Sequence, residues 1–172
     1  MINKKICMLG SFCVGKTALV RHYVNSIFSD NYLSTVGVKI SKKTIEVEGE
    51  EINLMLWDME GQDNYSMVNL SYLRGAHGLL FVVDGTRGET LSVSLKLRME
   101  ALKILGPSVP SFFIINKADL EAEWEISEKV LNSLESKGVT AIKTSAKTGL
   151  NVESTFSRLA TAMMTKNPAA SR

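Results

Sequence analysis

Eight consecutive residues, Gly10-Ser11-Phe12-Cys13-Val14-Gly15-Lys16-Thr17, fit the pattern G-x-x-x-x-G-K-[ST] at every fixed position. The chemistry of that pattern is phosphate binding. Gly10 and Gly15 allow positive φ and close approach of the backbone to a ligand. Loop N–H groups then converge on an anion, and the start of the following helix adds its positive end. Lys16 brings a point charge to the outer phosphates, and the Thr17 hydroxyl can ligate Mg²⁺. A glycine-rich turn that binds nothing is the plain alternative. The flanks argue against it: Lys5 to Leu9 reads as a short apolar strand and Ala18 to Asn25 as a helix.

The elements that must hold this loop follow from the rest of the chain. Its 172 residues suggest one domain, and its hydrophobic content of 45% and charged content of 22% are ordinary for a globular protein. A net charge of +2 is too small to point to nucleic acid or an acidic membrane surface. Cys7 and Cys13 share one strand–turn unit and are poorly placed to bridge, so both read as reduced thiols, Cys7 in the core and Cys13 a candidate reactive thiol. Ile rather than Gly stands at position 2, and no cysteine stands near the C-terminal end, so no direct lipid anchor is expected.

Strand and helix signals alternate along the chain. Phe28 to Gly37 reads as a loop. Val38 to Glu48 and the alternating Ile52, Leu54, Leu56 run read as a hairpin turned at Glu48-Gly49-Glu50. Asp58 to Asn64 is loop-like, and Tyr65 to Leu73 reads as an irregular helix. Gly78 to Asp84 is a continuous apolar run suited to a strand buried on both faces. A helix from Thr90 to Leu105 stops at Gly106-Pro107; Ser111 to Ile115 is another buried strand. Ile126 to Lys137 is a helix closed by Gly138, Val139 to Lys143 a strand, and Asn151 to Thr165 the last helix. Such alternation predicts an α/β sheet, mostly parallel, with ligands at the carboxyl ends of its strands. The eight methionines read as core gap fillers. Trp124 lies in an acidic stretch with no function assigned to it.

Further motifs stand after other strands. Asn116-Lys117-Ala118-Asp119 follows Ser111 to Ile115. Ser145-Ala146-Lys147 follows the last strand. Tyr32-Leu33-Ser34-Thr35-Val36-Gly37 precedes the hairpin, and Trp57-Asp58-Met59-Glu60-Gly61-Gln62-Asp63 ends it. From Lys5 to about Met164 the chain resembles a Ras-superfamily small GTPase and is most similar to the Rab family. The stretch Arg74-Gly75-Ala76-His77-Gly78 matches that family too, which makes His77 part of a structural turn; no ligand role falls to His22.

The resemblance implies a P-loop NTPase three-layer α/β fold. Its sheet has six strands, mostly parallel with one antiparallel edge strand, and helices on both faces. Residues 1–172 would form one domain with a short polar tail from about 166. The implied ligands are GTP or GDP with Mg²⁺. The implied nucleotide contacts are Gly10, Ser11, Phe12, Cys13, Val14, Gly15, Lys16, Thr17, Ala18, Phe28, Tyr32, Thr35, Gly61, Asn116, Lys117, Asp119, Leu120, Ser145, Ala146 and Lys147. Phe28 would pack across the base, the Lys117 stem would lie over the ring, and the Ala146 N–H would meet the guanine carbonyl. The Asp119 carboxylate would accept from guanine N1–H and its amino group together. Adenine has no donor at N1, so a site built this way discriminates by orders of magnitude. Asn116 would tie loops together and orient the base site.

Thr17, Thr35 and Asp58 are the implied metal residues. Gln62 would orient the attacking water, with Lys16, Thr35 and Gly61 on the phosphates. Loss of the γ-phosphate removes the Thr35 and Gly61 contacts and releases both switch segments. An effector, an exchange factor and an activating protein would bind through residues 28–40 and 58–74. Ile40, Trp57 and Tyr72 fall where the family presents an apolar effector patch, although hairpin packing explains Ile40 and Tyr72 equally well. The protein is expected to be a cytoplasmic monomer without nucleic-acid partners, brought to membranes, if at all, by a partner.

Three features depart from the family pattern. Phe12 replaces a small residue, Met59 and Glu60 replace Thr and Ala, and the lipid-attachment cysteine is missing. Phe12, Met59 and Glu60 motivate an alternative, a GTP-binding interaction module with little or no hydrolysis, against which the retained Gln62 argues. A phosphate-loop kinase acting on a small molecule is disfavoured by Asn116-Lys117-Ala118-Asp119.

Overall fold

The computed structural model describes residues 1–24, 31–33, 38–59 and 70–165, with the backbone alone at 31–33. The chain alternates as its apolar pattern requires. Strand β1 (Ile2–Leu9) leads into helix α1 (Lys16–Val24); β2 (Asn31–Leu33), β3 (Val38–Val47) and β4 (Glu50–Met59) follow; then come β5 (Gly78–Asp84), α2 (Glu89–Leu105), β6 (Ser111–Asn116), α3 (Glu128–Ser136), β7 (Thr140–Lys143) and α4 (Val152–Thr165). Short 3₁₀ turns occupy Leu70–Leu73 and Glu121–Glu123. The first stands where an irregular helix is expected; residues 65–69 of that segment lie outside the described residues.

All strands join one sheet in the order β2-β3-β4-β1-β5-β6-β7. The pairs β1–β4, β1–β5, β5–β6 and β6–β7 are parallel, whereas β3 runs antiparallel to β4. The six strands expected from sequence are present. The three-residue β2, from a stretch read as loop, extends the edge antiparallel to β3. The β3–β4 hairpin closes on two residues, Glu48 at φ 51° and Gly49 at φ 82°. Positive φ at both positions matches the twist of the flanking strands.

Period-two alternation sends the two faces of each central strand into different cores. Ile6, Met8, Leu80, Val82 and Ile114 pack with Leu19 and Tyr23 of α1 and Phe156 and Leu159 of α4. Cys7, Leu9, Phe81, Val83 and Phe113 face the other way, toward Ala101 of α2 and Leu131 and Leu134 of α3. Tyr23 and Phe156 stack with ring centroids 4.0 Å apart and planes 9° apart, a contact that adds about 1 kcal/mol beyond area burial. Lys43 fastens that face: its Nζ lies 3.7 Å over the Tyr23 ring, donates to the Tyr23 carbonyl at 2.7 Å and pairs with Glu153 at 3.3 Å.

The helix following β1 lies on one face and the helix following the adjacent β5 on the other. A crevice therefore opens beyond the carboxyl ends of β1 and β5, where such sheets hold ligands. Among the described residues no helix is long and apolar enough to cross a membrane. The methionines divide: Met8, Met59 and Met163 are buried, but Met1 and Met99 are exposed, so gap filling accounts for only part of them.

Candidate functional site

The loop between β1 and α1 sits in that crevice. Gly10 has φ 153°, Cys13 59° and Gly15 101°. The loop runs tight against β5: a Cβ on Gly10 would stand 2.4 Å from the Val82 carbonyl oxygen. Val14 turns inward to the core, while Cys13 and Phe12 face outward, Phe12 with 53% of its surface exposed. Helix α1 begins at Lys16, directly after Gly15, so its free N–H groups face the loop. The Lys16 side chain doubles back into the loop. Its ammonium donates to the Gly10 carbonyl at 3.1 Å and the Ser11 carbonyl at 3.0 Å, and the residue is only 6% exposed. A cation held this deeply beside converging amides suits a polyanion. Ala18 is exposed on the first turn of α1.

Thr17, on that same turn, faces Asp58 at the end of β4. Its Oγ1 donates to Asp58 Oδ2 at 2.6 Å. Asp58 is 3% exposed, and its other oxygen, Oδ1, is buried without a hydrogen-bond partner among the described residues. A buried carboxylate oxygen left unpaired beside a threonine hydroxyl fits a hydrated divalent cation, whose waters would supply the missing donor. The residues present therefore fit Mg²⁺ on chemistry and burial.

The loop after β6 joins the site through one side chain. Asn116 Nδ2 donates to the Val14 carbonyl at 3.0 Å. Its Oδ1 accepts from Thr144 Oγ1 at 3.1 Å and from the Ala146 N–H at 3.2 Å. One amide thus pins the phosphate loop to the segment after β7. Asp119 is exposed at the rim, as are Leu120 and Lys147. Asp119 Oδ1 accepts from Ser145 Oγ at 2.6 Å, and that same oxygen of Ser145 accepts from the Thr148 N–H at 3.1 Å. These bonds orient the carboxylate outward from a fully buried Ser145.

Lys117, at φ 69°, carries its ammonium away from the rim to Asp84 Oδ2, 2.8 Å off. Asp84 ends β5 and is 1% exposed. Arg87 Nε also reaches Asp84 Oδ2, at 3.1 Å, and Thr86 bonds Oδ1 through its N–H and its hydroxyl. Burial pushes the Asp84 carboxyl up, but its bonds to Lys117, Thr86 and Arg87 outweigh that and hold it at about 2. Arg87 Nη2 then donates to the Phe12 carbonyl at 2.7 Å. Sequence reasoning missed Asp84 and Arg87. The available signal was Asp84-Gly85-Thr86-Arg87-Gly88 directly after a buried strand, a turn at the sheet's ligand edge. It also assigned nothing to Trp124, whose ring covers Gly85 so closely that a Cβ there would stand 2.0 Å away. The Trp124 indole N–H donates to the Ile126 carbonyl at 2.7 Å.

Ile40, Trp57 and Tyr72 come together, half-buried, on the α2 side of the sheet. Ile40 pairs with Trp57 in register, and the Trp57 and Tyr72 rings lie 6.3 Å apart. Lys5 Nζ sits 3.6 Å above the Trp57 ring. His77 is held in its turn by Lys5, whose N–H donates to Nδ1 and whose carbonyl accepts from the His77 N–H. Phe28, Thr35, Glu60, Gly61, Gln62 and the side chain of Tyr32 lie outside the described residues, as does most of the two switch segments.

Fold and site together define a phosphate-loop α/β protein whose loop is bonded to segments after two other strands. The Ras family model matches residues 5–165. Relatives include Rab-1C of Dictyostelium discoideum, 30% identical over 165 residues, covering 95% of this chain and 82% of that protein. RABD1 of Arabidopsis thaliana is 33% identical over 157 residues, covering 91% and 77%. Rab-13 of Canis lupus familiaris is 31% identical over 165 residues, covering 95% and 81%. The chain belongs to the Ras family and is Rab-like within it.

Proposed function

We propose that this protein is a guanine-nucleotide switch that binds GTP and GDP with Mg²⁺ and hydrolyses GTP slowly. The observation that carries the reading is the Asn116 junction. One buried amide joins the Val14 carbonyl to the Ala146 N–H, so the phosphate loop and the two segments matching guanine motifs form one rigid site. Lys16 and the loop amides bind the phosphates. Asp119, held by Ser145, receives the guanine edge. Thr17, Asp58 and Thr35 would hold Mg²⁺, which supplies charge neutralisation at the phosphates. Gln62 orients water, and Thr35 and Gly61 report the γ-phosphate to the switch segments. Positioning and electrostatics carry such catalysis, without a covalent intermediate. The half-buried Ile40, Trp57 and Tyr72 patch is the surface for effectors and regulators.

Slow turnover follows from Phe12, and a weakened preference for GTP from Glu60. Phe12 stands exposed at the lip of the loop; a bulky ring in place of a small residue there would hinder a water-orienting glutamine and bar an arginine delivered by an activating protein, a contribution worth about 10³–10⁵ in rate. Glu60 sits next to the γ-phosphate contact in sequence. A carboxylate about 5 Å from a phosphate charge repels it by roughly 3 kcal/mol at an effective dielectric near 20, which favours GDP. The test is the nucleotide that co-purifies, GTP against ATP affinity, and single-turnover GTP hydrolysis by the parent and Phe12→Gly. Guanine selectivity with a faster variant is expected. ATP binding as tight as GTP binding would defeat the reading, and an unchanged or slower Phe12→Gly would remove the Phe12 argument. The exposed Phe12 also motivates a second reading, a GTP-binding interaction module without hydrolysis. Phosphate release equal in the parent and Gln62→Ala would favour it.

A further inference from the structure

We infer that Arg87 is a positioning residue for the phosphate loop, and that with Asp84 it relays occupancy of the base end of the site to the phosphate end. The inference rests on the guanine-nucleotide reading above and assigns a role to residues outside the motifs. Three distances carry it. Arg87 Nη2 donates to the Phe12 carbonyl at 2.7 Å, and Arg87 Nε contacts Asp84 Oδ2 at 3.1 Å. Lys117, two residues before the base-reading Asp119, contacts that same oxygen at 2.8 Å. The chain of contacts therefore runs Lys117, Asp84, Arg87, Phe12 carbonyl.

The geometry suits a clamp rather than a surface ion pair. Asp84 is 1% exposed and cannot relax into solvent. Thr86 holds its other oxygen from two sides, so the carboxylate is a fixed post. Arginine alone offers a planar fork able to bond the post through one nitrogen and the loop carbonyl through another. The turn carrying Arg87 is itself immobilised from behind. Glu125 Oε2 accepts from the Gly88 N–H at 2.7 Å, the Gly85 carbonyl accepts from the Glu125 N–H at 2.8 Å, and the Trp124 ring covers Gly85. Trp124 and Glu125 belong to the segment just after Asp119, so the turn and the base loop move as one body.

The loop needs such a hold at this point. Cys13, next to Phe12, has φ 59°, in the left-handed region that non-glycine residues adopt only at an energetic cost. A charged donor on the preceding carbonyl keeps that peptide in the strained orientation, which leaves the loop amides facing inward for phosphate. Losing the donor frees the loop at its most strained position.

The experiment measures dissociation of a fluorescent GDP analogue from the Mg²⁺-loaded full chain, for the parent, Arg87→Ala, Arg87→Lys, Asp84→Asn and Arg87→Ala combined with Asp84→Asn. Melting of the nucleotide-free proteins is followed in parallel. Arg87→Ala is expected to release the analogue about tenfold faster, since the loop loses its one charged hydrogen bond from Arg87. Arg87→Lys should recover part of that, because an ammonium still donates but cannot fork. The double variant should release more slowly than the product of the single effects requires, because Asp84 acts partly through Arg87. An unchanged release rate in Arg87→Ala overturns the clamp, and fully multiplicative effects overturn the relay. Faster release matched by an equal loss of nucleotide-free stability, with no recovery in Arg87→Lys, overturns positioning in favour of general destabilisation. A parent that fails to retain the analogue overturns the guanine-nucleotide reading and the inference together.

Discussion

Thr17 and Asp58 stand 41 positions apart in sequence, yet Thr17 Oγ1 donates to Asp58 Oδ2 at 2.6 Å, and the remaining Asp58 oxygen is buried and unpaired among the described residues. The pair joins the first turn of α1 to the end of β4. If Asp58 organises the water shell of Mg²⁺, Asp58→Ala should raise the Mg²⁺ concentration needed to retain GDP by about 10–100-fold. Titrating GDP release against Mg²⁺ reads this directly. An identical Mg²⁺ dependence in parent and variant would leave the pair a purely structural hydrogen bond.

Gly15 and Asn116 form a second tight contact. At φ 101° Gly15 suits no side chain, and a Cβ there would stand 2.2 Å from Asn116 Nδ2. Gly15→Ala should therefore lower stability by about 2 kcal/mol or more, from backbone strain and displacement of the Asn116 amide. Asn116→Ala removes the same bond to Val14, so the double variant should lose less than the sum of the singles. Urea unfolding of the four proteins measures the coupling. Strict additivity would mean that the two residues act separately.

Acid sensitivity should pass through Asp84. Its folded pKa of about 2 lies below the ordinary 3.8. A depressed carboxylate stabilises the fold fully above its unfolded pKa and loses that contribution as pH falls through the folded value. The window is thus about pH 4 down to 2, and the contribution at neutral pH is of the order of 2 kcal/mol. Asp84→Asn should be less stable than the parent by about that much at pH 7, and the gap should close toward pH 2. A gap independent of pH would show that packing, not ionisation, is what the substitution removes.

The two thiols should differ in reactivity. Burial pushes Cys7 up to about 12, opposed only in part by Lys5, whereas Cys13 is exposed on the phosphate loop. A thiol reagent at pH 8 should label the native protein once, at Cys13, with Cys7 reacting only after unfolding. Mass mapping of the labelled peptide decides it. Labelling of Cys7 in the native state would require β1 to open.

Much of the fold was legible because its signals are local. The apolar run Gly78–Asp84 is buried at every position, as a central parallel strand requires. Gly106 and Gly138 end their helices with positive φ. The three-residue β2 was not legible: a pairing so short leaves no period-two pattern, and only its neighbour Val38–Val47 makes it a strand. Trp57 was legible as pointing away from Ile52, Leu54 and Leu56, but its rest beneath Lys5 and beside Tyr72 was not.

At the site, the sequence by itself determined which groups were available: glycines where the loop needs them, Lys16 and Thr17 at the helix start, and carboxylates at the ends of two strands, Asp58 and Asp84, and just after a third, Asp119. Spacing alone sufficed there, because a strand–turn–helix unit is built from neighbours. Only the tertiary structure decided which groups meet. Arg87 reaches the Phe12 carbonyl across 75 positions and Asn116 reaches the Val14 carbonyl across 102. Both contacts exist because β1, β5 and β6 stand side by side in the sheet. That order is set by crossovers burying two separate cores, a collective packing outcome that no local pattern encodes.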